Sequence, residues 1–192
     1  MRLEDYILTV DGVFTESHLD TFMKTCQVLD YDAAKVVKNT EDGAEGTVDT
    51  SSRVVGECPL RRTDNSQTKV NWHNFFRYKI CYTIKDLYIP TVPTVGIHHI
   101  LDISVLKYEE GGFYEQHSDH GSLTPRTLSV IIFLNDDYEG GEFEIFTPNK
   151  DHSQKIKPKK GRMVVFPSNF LYPHQAHPVK KGTRYVIVSW LL

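Results

Sequence analysis

Five short runs decide how this chain folds: ILDISVLKY (residues 100–108), RTLSVIIFLN (126–135), GEFEIFT (141–147), GRMVVFP (161–167) and TRYVIVSWLL (183–192). They are rich in β-branched and aromatic residues, which fit the pleated, half-buried surface of a sheet, and are broken by Gly, Pro, Asn and Asp. Gly140, Gly141 and Gly161 fall where tight turns need positive φ. The second half of the chain therefore reads as strand and turn throughout.

Working outward, residues 6–14 mix aliphatic and aromatic side chains and read as a short strand. Leu19, Phe22, Met23, Cys26 and Leu29 then recur at helical spacing, with Thr15 or Ser17 as the N-cap. Residues 72–88, WHNFFRYKICYTIKDLY, predict a second helix whose stripe of Trp72, Phe75, Phe76, Ile80, Ile84 and Leu87 suits core packing. Residues 39–69 hold few large apolar side chains, so they read as a long loop or loosely held hairpin that gives little to the core. A loop of that length suits a mobile lid. The expected architecture is mainly β with flanking helices, a double-stranded β-helix or jelly-roll barrel.

At 192 residues the chain fits one domain, with residues of about 1–99 supporting a barrel core of about 100–192. Lys plus Arg number 22 against 25 Asp plus Glu, a balance that shows no bulk attraction to phosphate backbones or anionic membranes. Cys26, Cys58 and Cys81 are odd in number and irregularly spaced, which suits a reducing compartment and neither a disulfide framework nor a zinc motif. The N-terminal segment has no signal-peptide pattern, and no apolar run reaches membrane-spanning length. A soluble cytoplasmic protein is expected.

The chemistry concentrates in FYEQHSDHGS, residues 113–122. In an extended strand His117 and Asp119 point the same way and can take adjacent positions on one metal. One His and one carboxylate do not make a site; His174, just before the last strand, supplies a third ligand where a closing barrel can bring it alongside. Two imidazoles and a carboxylate on one face leave coordination positions open, which suits Fe(II) rather than a closed structural zinc site. His120 should face the opposite side of the strand, and His98, His99, His18, His73 and His152 lack a metal-ligand context.

With these residues assembled, the sequence resembles the prolyl-4-hydroxylase-like branch of the 2-oxoglutarate/Fe(II) oxygenases. The matching elements run in order: Tyr108-x3-Gly112, His117-x-Asp119, the Arg126-to-Asn135 strand, Gly140-Gly141-x-Phe143, Lys160-Gly161 before VVFP, and His174-x3-Pro178-Val179-x2-Gly182-x-Arg184. The likeness is strong over about residues 100–192. It selects His174 over His177 as the ligand. It also implies that Arg184 pairs with the distal carboxylate of 2-oxoglutarate and that Tyr108 and Ser129 line the cosubstrate pocket; Arg126, read as beginning a barrel strand, could contact substrate or simply face solvent. A guanidinium makes two parallel bonds to a carboxylate, which fixes orientation as well as adding attraction. The chain departs from the pattern at Phe133, where some prolyl hydroxylases have a tyrosine, so Arg184 would work with Ser129, Tyr108 or water.

The resemblance implies Fe(II), 2-oxoglutarate and O2 as cofactor and cosubstrates, ascorbate as a reductant, and hydroxylation of a C–H bond, with proline in a peptide or protein favoured as target. A free amino acid or small metabolite is the alternative substrate. A non-catalytic jelly-roll metal-binding module is the alternative class, and nucleic acid is not an expected partner, given the acidic balance.

Overall fold

Two antiparallel sheets dominate the computed structural model, which describes residues 2–40, 43–97, 99–121, 124–149 and 151–192. The major sheet has seven strands in the spatial order Leu8–Val10, Met163–Pro167, Leu128–Phe133, Arg184–Leu191, Ile100–Tyr108, Gly56–Pro59 and Asp32–Ala33. The minor sheet has five: Ser153–Ile156, Phe143–Phe146, His174–Ala176, Phe113–His117 and Arg53–Val54. Every one of the five runs that decided the reading contains a strand. The sheets face each other with the helices on the outer face of the major sheet, a mainly β arrangement of the jelly-roll kind.

Burial on both faces explains why the major-sheet runs are apolar without a break. On the terminal strand, Ile187 and Leu191 join the core beneath the helices, while Val186 and Val188 join the core between the sheets. Leu128, Val130 and Ile132 divide from Ile131 and Phe133 in the same way. Side chains alternate along a strand, so Arg184, two residues before Val186, is carried into the space between the sheets. Its position follows from parity.

The helices Glu16–Cys26 and Gln67–Thr83 start at Thr15 and Ser66, whose hydroxyls accept from the backbone N–H of His18 and Lys69. Leu19, Phe22, Phe76 and Ile80 pack against the major sheet. The second helix begins before the apolar stripe and ends in a π-helical turn, Ile84–Tyr88. The N-terminal strand is only Leu8–Val10, preceded by a 3-10 turn at Leu3–Tyr6. All three cysteines are free, Cys26 and Cys58 buried and Cys81 exposed. Among the described residues no helix is long and apolar enough to cross a membrane.

Residues 39–69 include part of a hairpin, one of the two expected readings, and beyond expectation they also add strands to both sheets. Val36–Thr40 and Gly43–Thr47 form a hairpin, Arg53–Val54 extends the minor sheet, and Gly56–Pro59 pairs with Ile100–Tyr108. Val55, Cys58 and Leu60 are buried. Backbone pairing on both sheets holds the segment, so three apolar residues suffice to anchor it, and an apolar count alone undervalues it.

Candidate active site

His117 ends the strand Phe113–His117, His174 opens His174–Ala176, and the two are direct register partners across the minor sheet. Asp119 lies two residues beyond the strand end, so it joins them through a bend in the chain rather than by strand alternation. Its Oδ1 is 3.6 Å from His117 Nε2 and its Oδ2 is 3.4 Å from His174 Nε2. One ligand atom from each of the three lies within 4.8 Å of the others.

The imidazoles are oriented from behind. His117 Nδ1 contacts the Glu115 carbonyl at 2.7 Å and His174 Nδ1 the Tyr172 carbonyl at 3.1 Å. A carbonyl can only accept, so each Nδ1 carries the proton and each Nε2 presents a lone pair to the shared point. Burial pushes His174 down to about 4, against the pull of Asp119, which keeps the ring a neutral donor at neutral pH. Burial opposes ionisation of Asp119, but His174, His117 and the Ser129 hydroxyl outweigh it and hold the carboxyl well below the usual range. The Ser129 hydroxyl donates to Asp119 Oδ2 at 2.6 Å and lies 2.7 Å from Ser168 Oγ. Two nitrogen donors and one ionised carboxylate are the donor set that suits an open Fe(II) site.

Arg184 is 1% exposed. Its guanidinium carbon sits 4.8 Å from the Tyr108 ring centroid and 5.6 Å from that of Phe133. Its Nε and Nη1 are buried without a hydrogen-bond partner. A buried charge with unmade hydrogen bonds is costly, so the geometry asks for an anion. One narrow cavity is lined by the three candidate ligands together with Arg184, Tyr108 and Ser129. A small dicarboxylate spanning metal and guanidinium fits this donor set.

Sequence reasoning did not single out Tyr138, Ser168 or Arg53. An alanine methyl built on Gly141 would touch both Tyr138 Cε2 (3.2 Å) and Arg184 Cδ (3.4 Å), so the two side chains flank the same glycine. The Tyr138 hydroxyl is buried without a hydrogen-bond partner, and burial raises its pKa while the Arg184 charge opposes the rise. The only sequence signal for it is an aromatic just ahead of the Gly140-Gly141 turn. Arg53 is buried with its guanidinium 4.6 Å from the Tyr114 ring centroid, and Tyr114 in turn stacks on His117 at 3.6 Å.

Arg126 stands two residues before its strand, not within it; its guanidinium lies 3.7 Å from the Trp190 ring centroid, and Nη1 reaches the Asp119 carbonyl at 3.4 Å. His177 is turned away from the cluster and contacts Glu144 at 2.6 Å. His120 is exposed, with Nδ1 2.8 Å from the Arg126 carbonyl. His18, His73, His99 and His152 do not join the metal-ligand cluster, and His98 lies outside the described residues.

Residues 103–192 match the sequence profile of the 2OG-Fe(II) oxygenase superfamily. A PKHD-type hydroxylase of Crocosphaera subtropica is 36% identical over 106 residues, which span 50% of this chain and 46% of that protein. Prolyl 3-hydroxylase 2 of Homo sapiens is 45% identical over 69 residues, 35% of this chain and 10% of that protein. The chain therefore aligns with less than half the length of either relative. A Trichoplax adhaerens prolyl hydroxylase, solved with a hypoxia inducible factor oxygen degradation domain peptide fragment, superposes with a TM-score of 0.78 at 15% identity, covering 98% of this chain and 84% of that one. A Pseudomonas putida prolyl-4-hydroxylase gives a TM-score of 0.71 at 15% identity, covering 97% and 91%. At such identity these two speak to the fold alone, and the fold they share is that of prolyl hydroxylases. Over residues 103–192 the chain is similar to the 2OG-Fe(II) oxygenase superfamily, and its fold and His-Asp-His cluster accord with its likeness to PKHD-type and prolyl hydroxylases.

Proposed function

We propose that this chain is an Fe(II)- and 2-oxoglutarate-dependent dioxygenase that hydroxylates a C–H bond of a peptide or protein, in the manner of a prolyl hydroxylase. The observation that carries this reading is the buried Arg184 with unpartnered donors in the same cavity as three candidate metal ligands. A metal-binding module alone has no use for such a guanidinium. The similarity to prolyl hydroxylases supports a peptide target.

Iron and 2-oxoglutarate, when bound, supply the oxidising power, with oxidative decarboxylation to succinate and carbon dioxide coupled to hydroxylation. In this reading His117, Asp119 and His174 hold the metal, and Ser129, backed by Ser168, fixes the Asp119 carboxylate. Arg184 holds the distal carboxylate of the cosubstrate, with the Tyr138 hydroxyl in the role left open by Phe133. The Tyr108 ring covers the guanidinium and keeps water from it. Phe143 and Phe166, with ring centroids 5.5 and 4.9 Å from that of His174, wall the metal side. Arg126 stands at the mouth, where a substrate enters.

Succinate release from 2-oxoglutarate and Fe(II), measured with ascorbate present, tests the reading. Wild type and His177→Ala should turn over, whereas His117→Ala, Asp119→Ala and His174→Ala should lose both turnover and tight metal binding. Full activity in His174→Ala would sink the assignment.

A further inference from the structure

A groove of about 770 Å³ opens beside the candidate metal cluster, sharing Arg53, Tyr114, His117, Asp119 and Trp190 with the inner cavity. Apart from Asp119, its acidic lining residues are Glu57 and Asp102, while its cations are Lys35, Arg53, Arg61, Arg62, Arg77 and Arg126. The chain as a whole carries a formal charge of -3, so this concentration is local and does not reflect the composition. Lys35, Arg61, Arg62 and Arg77 are exposed, and their side chains make no ion pair or hydrogen bond among the described residues. Arg53 reaches Glu57 only at 4.0 Å, keeps Nε buried and unpartnered, and lines both cavities.

We infer that this groove takes an acidic peptide segment, its Asp and Glu side chains meeting the Arg61, Arg62, Arg77 and Lys35 rim while Arg53 and Arg126 flank the entry to the metal. The inference deepens the proposed function and rests on it for the statement that the bound segment is hydroxylated. Uncompensated cations in a cleft raise the local concentration of an anionic partner and select against a basic one. Nucleic acid is a poorer match. Non-specific single-strand binding uses free aromatic faces for base stacking, and the two large aromatic rings here are taken: Tyr114 lies between His117 and Arg53, and Trp190 lies under Arg126. Two of the four rim cations, Arg61 and Arg62, come from the segment that reads from sequence as a long loop or loosely held hairpin.

The test is fluorescence anisotropy with three labelled peptides, each with one central proline flanked by Asp and Glu, by Ser and Gln, or by Lys, plus a single-stranded oligonucleotide of the acidic peptide's charge. The proteins are wild type, Arg61→Glu/Arg62→Glu/Arg77→Glu, and Lys24→Glu/Lys85→Glu/Lys157→Glu, which makes the same charge change away from the groove. The acidic peptide should bind wild type at least about tenfold more tightly than the neutral one at low salt, with the gap closing as ionic strength rises. The arginine variant should lose that preference and the lysine variant should keep it. Equal binding of the three peptides, a preference surviving in the arginine variant, or tighter binding of the oligonucleotide would each overturn the inference. Succinate release without any target is measured on the same wild-type protein. Its absence would sink the oxygenase reading, while the anisotropy result decides the groove separately.

Discussion

The Arg184 guanidinium has two nitrogens without partners and Tyr138 has a buried hydroxyl in the same condition, both beside Gly141. A carboxylate placed between them would satisfy both, which separates cosubstrate binding from metal binding. Arg184→Gln should cost roughly 2–5 kcal/mol of 2-oxoglutarate binding, the loss expected when one partner of a buried charge pair is removed. Tyr138→Phe should cost less, about 1.5–3 kcal/mol, the worth of a hydrogen bond to a charged group. Titrating 2-oxoglutarate and Fe(II) on both variants checks this; a Tyr138→Phe protein that binds cosubstrate like wild type would remove the phenol from the site. Ser129→Ala should act on the other partner, lowering metal affinity roughly 10–100-fold because Asp119 loses its hydrogen-bond donor, with cosubstrate binding at saturating metal little changed. His117, His174 and Arg184 were legible as candidates because strands fix their places, and Asp119 was legible from its spacing to His117 although a bend, not strand alternation, brings it to the cluster. Tyr138, Ser168 and Arg53 were not, because each reaches the site through tertiary proximity that no local pattern encodes.

At the scale of elements, the turn at Gly140-Gly141 ties the cosubstrate end of the barrel to the chain around Pro178 and Val179. Both glycines have positive φ, 74° and 61°. Alanine at 141 would crowd Val179 Cγ2 at 3.0 Å as well as Tyr138 and Arg184, and an L-residue there carries roughly 1–2 kcal/mol of backbone strain. Gly141→Ala should therefore lower the melting temperature and weaken 2-oxoglutarate binding together, read by thermal unfolding and cosubstrate titration. A variant that is destabilised but binds cosubstrate normally would show that the turn does not position Arg184. The strands of the second half were legible because two-sided burial leaves unbroken β-branched runs. The 39–69 segment was not, since its strands are short, its pairing is mostly to distant partners, and its Gly and charged residues mimic a loop. Its buried residues, Val55, Cys58 and Leu60, become informative only once the neighbouring strand Ile100–Tyr108 is in place.

Across the whole molecule, the candidate metal ligands His117 and His174 join two strands of the minor sheet, and Asp119 is tied through Ser129 to the major sheet. A ligand that binds only the folded form stabilises it by mass action, about 2.7 kcal/mol at a hundredfold excess over Kd. For a chain of this size that corresponds to a rise of roughly 5–10 °C in melting temperature. Loading with Fe(II) or Mn(II) without oxygen should produce such a shift, chelation should reverse it, and His174→Ala should abolish it. No shift in wild type would exclude a folded-state metal site.

The terminal strand Arg184–Leu191 lies at the middle of the major sheet, hydrogen-bonded to Ile100–Tyr108 on one side and Leu128–Phe133 on the other. A ribosome makes those two neighbours first, so they leave the exit tunnel with facing edges unpaired and a strand-wide gap between them. Unpaired, apolar strand edges are templates for pairing with other chains. A nascent chain stalled before residue 184 is therefore both the form without the buried Arg184 guanidinium and the form most exposed to wrong pairing, so the interval before its last described strand emerges is when chaperones matter most.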